Sequence, residues 1–305
     1  MKHWGIGPLQ SGLALAALLI TIATVWGAYA ATLPVLVTIP PQAELVERIG
    51  GDRVEVKVVV PAGQDPHTFL PKPRQMIDLA KAKVYFRVGE PIEQRLVSGL
   101  SRGSRMIIVN TIEGIERRTI EAPCTGHGSH GHHHHHHHAA PDPHVWLAPK
   151  LLKVQAKHIA EALAEADPAG ANAYLTNYKK VAEQLDSLDA EIRKQLAPYK
   201  GRAFFVFHPA LGYFADAYGL EQEAVEIDGR SPTPRELRKL VAEARNDRID
   251  TLFVQPQFDQ RAARAVAEAI GAELITIDPL RRDVFDNLRD IADKLAASMR
   301  SSSAE

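Results

Sequence analysis

Cysteine is nearly absent from this chain of 305 residues, and neither sign of charge dominates it. Cys124 is the only cysteine, so no intrachain disulfide can form and the fold depends on its apolar core. Because Cys124 borders a histidine-rich stretch, it is either an incidental thiol or an accessory soft metal ligand. The net charge of −1, with 36 basic and 37 acidic side chains, gives no indication of a nucleic-acid-binding surface.

What the chain does contain is typical of a globular protein of moderate size. Apolar residues make up 45% of the sequence and charged residues 24%, which is the balance of a soluble domain with a packed core. A length of 305 residues leaves room for two ordinary domains, each with a core of its own.

The N-terminus has a different composition from the rest of the chain. Lys2 and His3 precede an apolar run from about residue 12 to residue 28, and Ala28-Tyr29-Ala30 fits a small-x-small cleavage site. We therefore predict that residues 1–30 are a cleavable signal peptide and that the mature protein is periplasmic. The alternative is an uncleaved membrane anchor, because the apolar run approaches membrane-spanning length.

Short β-branched and apolar runs alternate with segments of helical periodicity along the remaining chain. This alternation predicts βαβ units and mainly parallel sheets, which is an α/β fold. The predicted strands cover about 33–38, 54–60, 84–88, 105–110, 203–207, 251–255 and 274–277. Between the two groups of strands, residues 170–196 keep helical spacing without an interior proline, which predicts one helix of ~40 Å that links two lobes.

The stretch 126–146 has the most unusual composition in the chain. It holds nine histidines, seven of them consecutive, and then the sequence Pro-Asp-Pro-His144-Val-Trp. No packed core can use seven consecutive imidazoles, whereas neutral imidazole is a common metal ligand. Residues 113–142 are also too long for a plain connector. We interpret the stretch as a metal-handling loop; an engineered tag and low-complexity drift are the alternatives.

Four further residues are candidate metal ligands, namely His67, His144, His208 and Asp278. Three of them follow predicted strands beside a proline, and His144 lies just before a predicted helix. Ligands of α/β folds bind where loops meet at the carboxyl ends of strands. Three imidazoles and one carboxylate suit Zn²⁺. Another histidine, His158, falls inside an amphipathic helical pattern, and we expect it at the surface.

Several motifs together resemble those of the zinc/manganese solute-binding proteins of ABC importers, the ZnuA/TroA-like cluster, and most of all its zinc-uptake members. The motifs are Gln64-Asp-Pro-His67-Thr-Phe with Pro71-Lys-Pro-Arg-Gln-Met, Asp142-Pro-His144-Val-Trp-Leu, Phe207-His-Pro-Ala-Leu-Gly-Tyr-Phe and Ile277-Asp-Pro-Leu. The resemblance implies two Rossmann-like βα lobes joined by one long rigid helix, with the metal site in the cleft between them. It also implies that His67, His144, His208 and Asp278 are the metal ligands.

With that resemblance, the chain divides into four expected parts. These are a signal peptide (1–30), an N-terminal α/β lobe (31–168) that includes the His-rich loop 113–142, a linking helix (169–198) and a C-terminal α/β lobe (199–305).

The implied function is the capture of periplasmic Zn²⁺ and its delivery to an inner-membrane ABC permease, which works with a cytoplasmic ATPase. Such a protein is not an enzyme, and we expect a monomer. The His-rich loop is expected to act as a low-affinity collector, a sensor or a contact for a periplasmic zinc chaperone. Its auxiliary ligands are His127, His130, His132, His133, His134, His135, His136, His137 and His138.

The metal and the class of protein leave some alternatives open. Manganese-preferring relatives typically have Glu where this chain has His208, and a third nitrogen favours zinc over manganese. A manganese- or iron-selective member of the same family is the main alternative. A secreted zinc hydrolase and an adhesin are the others, but no His-Glu-x-x-His sequence or nucleophile motif is present. Asp65 is a substitute carboxylate ligand or, as we expect, a residue that bonds its own turn.

Overall fold

The computed structural model describes Met1 and residues 32–100, 105–120, 141–226, 232–246 and 249–301. Three predictions lie outside these residues: the signal peptide 1–30, the role of Cys124 and the auxiliary histidines 127–138. By contacts the chain divides into Met1–Thr32 and Leu33–Glu305, and the second unit contains every helix and strand described below. None of the helices in the described residues is long and apolar enough to span a membrane.

The first sheet has four parallel strands in the order β2-β1-β3-β4. Its strands are β1 (Leu33–Val37), β2 (Val54–Val58), β3 (Val84–Arg87) and β4 (Ile107–Asn110). β1 pairs on both sides, and its last three residues are buried. The β-branched runs therefore form the parallel sheet that the sequence predicts, because both faces of a central parallel strand are covered.

The second sheet repeats this topology, with four parallel strands in the order β6-β5-β7-β8. Its strands are β5 (Ala203–Val206), β6 (Glu221–Ala224), β7 (Thr251–Val254) and β8 (Glu273–Thr276). The sequence prediction missed β6. Its residues alternate between exposed and half-buried and include two glutamates, so this edge strand has no apolar run to reveal it.

The helices alternate with the strands, as predicted. They are α1 (Pro40–Gly50), α2 (Pro73–Leu79), α3 (Ile92–Leu100), α4 (Pro149–Ala166), α5 (Ala171–Leu196), α6 (Gly212–Tyr218), α7 (Pro234–Asn246), α8 (Gln260–Ile270) and α9 (Val284–Ser301). α5 is the predicted linking helix, with 26 residues. It contacts α1 and α4 from the first half of the chain and α6 and α9 from the second half.

The apolar face of α5 lies in a core that both sheets share. Its buried side chains recur at helical spacing and include Tyr174, Val181, Leu185, Leu188, Ile192 and Leu196. The same cluster of buried residues contains Val35 from β1 and Phe204 from β5. Burial of each large apolar side chain contributes about 1.5–3 kcal/mol. The two sheets therefore share one continuous core. The bounds of the four parts of the chain stay a prediction.

Candidate metal centre

Three of the four candidate ligands come together in space. His67 lies in the loop after β2, His144 precedes the 3-10 turn Val145–Leu147, and His208 follows β5. Their ring centroids form a nearly equilateral triangle, with separations of 5.5 Å, 5.2 Å and 5.3 Å. One nitrogen from each ring lies within 4.8 Å of the other two, so the three rings can hold a single metal ion.

Two of these imidazoles have a buried carboxylate against the same ring nitrogen. Asp142 Oδ1 lies 2.7 Å from His144 Nδ1, and Glu226 Oε2 lies 2.5 Å from His208 Nδ1. A carboxylate at Nδ1 fixes the proton there and leaves Nε2 with a free lone pair, as in carboxylate–histidine–metal sites. His208 Nε2 is buried and has no hydrogen-bond partner among the described residues, so it is ready to accept a metal ion.

His67 also has a carboxylate beside it, although the two do not form a hydrogen bond. Glu90 Oε2 is 3.3 Å from His67 Nδ1, and both Glu90 oxygens are buried without a hydrogen bond in the described structure. Burial alone would lower the pKa of His67, but Glu90, Asp65 and Glu226 together raise it above its ordinary value. Each of the three imidazoles therefore has its own carboxylate beside Nδ1.

His208 is fixed more firmly than the other two rings. The ring of Phe258 stacks on it at 4.4 Å, with an angle of 18° between the planes. Gln255 accepts a hydrogen bond from His208 N and donates one to His208 O. Burial and the neighbouring rings of His144 and His67 lower the pKa of His208, against the effect of Glu226. At neutral pH the ring is therefore neutral and able to bind a metal ion.

The three histidines open onto a small cavity of about 20 Å³. A volume of that size is suited to one ion or one water molecule. The other lining residues are Asp65, Pro66, Trp146, Ala210, Gln255, Gln257, Phe258, Pro279 and Leu280. Asp65 accepts hydrogen bonds from His67 N and Thr68 Oγ1, so it makes the turn bonds that the sequence predicts.

Asp278 is not part of the three-histidine group. Its Oδ1 accepts hydrogen bonds from Gln257 Nε2 at 2.7 Å and from Leu280 N at 3.0 Å. The next two residues, Pro279 and Leu280, do line the cavity, so the Asp278 segment borders the site. Its role as the fourth ligand stays a prediction.

Asp142, which orients His144, is held in place by hydrogen bonds and by a nearby arginine. Asp142 O accepts hydrogen bonds from Arg117 Nε at 2.9 Å and from the Tyr213 hydroxyl at 3.1 Å. The Arg118 guanidinium lies 3.7 Å from Asp142 Oδ2 and also pairs with Asp216. A side chain at position 212 would press on the Arg118 guanidinium, which would have to shift, and would lie tightly against Asp142.

Sequence reasoning missed the acidic partners of the histidines. A signal was available for Asp142, because Asp-Pro-His places the carboxylate two residues before the ring. Glu226 follows the strand β6, which was also missed, and Glu90 follows β3 in a short connection. Their distance from the histidines in sequence left no local pattern. His158 is near the surface as expected, with Nε2 3.1 Å from Glu113 O.

Comparison with known proteins gives consistent results. A family model described as zinc-uptake complex component A, periplasmic (ZnuA), matches residues 35–298. The high-affinity zinc uptake system protein ZnuA of Paracoccus denitrificans is 32% identical over 274 residues, covering 80% of this chain and 82% of that protein. A putative metal-binding protein of Treponema pallidum is 31% identical over 256 residues, covering 82% and 80%. A crystal structure of a ZnuA deletion mutant with zinc bound has a TM-score of 0.79 and 35% identity, covering 88% of this chain and 98% of the other.

Proposed function

This chain belongs to the ZnuA family of periplasmic metal-binding proteins of ABC importers, and from that premise we propose that it captures Zn²⁺ with high affinity and delivers it to an inner-membrane permease. In this proposal His67, His144 and His208 bind the ion through Nε2. Asp278 or a water molecule completes the coordination.

The observation that carries the proposal is the triangle of imidazoles with a carboxylate near each Nδ1. Three nitrogen ligands and one oxygen ligand satisfy the tetrahedral preference of Zn²⁺. The three carboxylates Glu90, Asp142 and Glu226 also supply negative charge around a dication in a buried setting. That charge is needed because burial of an uncompensated ion is costly.

Manganese or iron is the alternative cargo within the family. Mn²⁺ prefers carboxylate, carbonyl and water oxygens, whereas imidazole suits zinc. The described site offers three nitrogens, and the carboxylates of Asp142, Glu226 and Glu90 lie against Nδ1 atoms. These observations favour zinc.

A secreted zinc hydrolase is the alternative from another class. Catalytic zinc keeps a position for water beside a carboxylate that acts as general base. Among the described residues that line the cavity, the only carboxylate is that of Asp65, and both its oxygens accept hydrogen bonds from its own turn. Because the Asp65 oxygens are engaged in this turn, the described lining supports a binding site rather than a catalytic one.

Delivery requires that the ion can leave after docking. Asp278 lies on a loop and already has protein partners for Oδ1, so we propose that it is the weakest ligand and the first to detach. The auxiliary histidines 127–138 are proposed to collect zinc weakly, to sense it or to contact a periplasmic chaperone.

A zinc titration of the mature protein tests the proposal. The comparison is with a variant that lacks residues 126–138 and with His208→Ala in that variant; His158→Ala, a histidine outside the site, is the matched control. We expect one tight site that survives the deletion and the control substitution and is lost with His208. Loss of tight binding through the deletion alone would refute the three-histidine site.

A further inference from the structure

We propose that Gln257 is a specificity-determining residue that favours Zn²⁺ over Mn²⁺ because its side-chain amide engages the carboxylate of Asp278. The inference rests on the proposed function, since it concerns the same site and cargo. It assigns a role to a residue that is not among the four candidate ligands.

The first step is the position of Gln257 in the site. Two other residues of the segment after β7 contact His208. Gln255 bonds to the His208 backbone, and Phe258, the residue after Gln257, stacks on the His208 ring. Gln257 lines the cavity together with the three histidines. Its side chain is therefore held on the same short segment that fixes one of the metal-binding rings.

The second step is the state of Asp278. The Gln257 Nε2–Oδ1 bond of 2.7 Å and the Leu280 N–Oδ1 bond of 3.0 Å both use one oxygen of its carboxylate. Its backbone carbonyl accepts a hydrogen bond of 2.8 Å from Asn287 Nδ2. The carboxylate is thus bonded to protein donors while the three histidines converge without it.

The third step compares the two ions. Recruitment of both Asp278 oxygens to a metal ion would break the bond from Gln257 to Oδ1, whereas binding through Oδ2 alone would leave that bond in place. Such a bond to a carboxylate changes an equilibrium constant by roughly tenfold or more. Zn²⁺ avoids this penalty, because three imidazoles and one water satisfy its tetrahedral geometry. Mn²⁺ depends more on oxygen ligands, so the penalty falls on manganese.

Trp146 provides a readout that is confined to the site. The tryptophans of the chain are at positions 4, 26 and 146, so the protein without residues 1–30 retains only Trp146. Its ring centroid lies 5.3 Å from that of His144. Trp146 fluorescence therefore reports metal binding at the three-histidine site.

The test measures the affinities of Zn²⁺ and Mn²⁺ by Trp146 fluorescence, with a competing chelator for zinc. The variants are Gln257→Leu, Asp278→Asn and the double variant, all in the full mature chain. We expect Gln257→Leu to bind Mn²⁺ about tenfold more tightly, with Zn²⁺ changed by less than about threefold. The gain for Mn²⁺ should vanish in the double variant, because Asp278 would no longer supply a carboxylate.

Three results would overturn the inference. The first is an unchanged Mn²⁺ affinity in Gln257→Leu. The second is a weaker Mn²⁺ affinity in that variant, which would mean that Gln257 holds Asp278 ready as a ligand. The third is a gain in Mn²⁺ affinity that persists without the Asp278 carboxylate.

Gln257→Met serves as a second variant of similar length, and thermal unfolding confirms that each variant is folded. Failure of the proposed function can be distinguished from failure of this inference. It would appear as an identical Trp146 fluorescence response to zinc in the unmodified chain and in His208→Ala.

Discussion

The Trp146 indole donates a buried hydrogen bond of 2.8 Å to the carbonyl oxygen of Pro279. The two residues are 133 positions apart in sequence. Trp146 follows His144 by two residues, and Pro279 directly follows Asp278, so this bond connects the segments that carry two candidate ligands from opposite halves of the chain.

Replacement of Trp146 by Phe should destabilise the protein. The substitution removes the N–H and leaves the Pro279 carbonyl buried without that partner, which costs about 1–3 kcal/mol. Urea unfolding followed by circular dichroism measures the change. An unfolding free energy equal to that of the unmodified protein would show that water replaces the indole at no cost.

Replacement of Glu226 by Gln should weaken zinc binding about 10–100-fold. The amide cannot supply the negative charge that holds the Nδ1 proton of His208 and raises the basicity of its Nε2. Trp146 fluorescence during a zinc titration measures the affinity. The matched control is Glu221→Gln at the exposed start of the same strand, β6, where no loss is expected. Equal effects of the two substitutions would contradict the role of Glu226.

Zinc affinity should fall as the pH is lowered, with His67 as the sensitive ligand. Burial opposes protonation of His67, but Glu90 and other acids raise its pKa above its ordinary value of about 6.5, so protons compete with zinc as the pH falls through that raised pKa. Glu90→Gln removes one negative charge and lowers that pKa. The pH at which zinc is lost should therefore move downward in this variant.

Zinc titrations between about pH 8 and about pH 5.5 measure this shift. Glu183→Gln, on the exposed side of α5, is the control and should keep the original pH dependence. An unchanged pH profile in Glu90→Gln would mean that this carboxylate has no effect on His67.

Two leucines of α5 should respond very differently to the same substitution. Leu188 is fully buried in the shared core, and Leu188→Ala should cost about 2–5 kcal/mol of unfolding free energy. Leu175 is 42% exposed on the same helix, so Leu175→Ala should cost much less. Chemical denaturation of both variants checks the prediction, and similar losses would argue against a core organised along α5.

Local patterns were sufficient for most of the secondary structure. The runs that became β1 and β7 are short and mainly apolar, and the period of Tyr174, Val181 and Leu188 marked the linking helix. These signals work because burial on both faces of a strand, or on one face of a helix, selects residues at fixed spacing. β6 was not predicted because this edge strand is only half-buried and contains two glutamates, so it has no apolar run.

Three of the four ligand candidates could also be recognised from sequence, since His67, His144 and His208 each stand in a distinctive motif. The structure then brings these three within one small triangle. Asp278 shows the limit of that approach. Its motif marked it as a candidate, but only the folded chain shows that Gln257, 21 positions away, engages its carboxylate.

The sequence by itself determined the α/β alternation, the linking helix and the histidines that approach one another, because each follows from a local spacing or motif. The tertiary structure alone decided that Glu226 and Glu90 stand beside His208 and His67, and that Gln257 donates a hydrogen bond to the Asp278 carboxylate. Glu226 is 18 positions from His208, and Glu90 is 23 positions from His67. Such pairs are set by the order of the parallel strands within each sheet, where β6 lies beside β5 and β1 lies between β2 and β3, and no local pattern encodes that order.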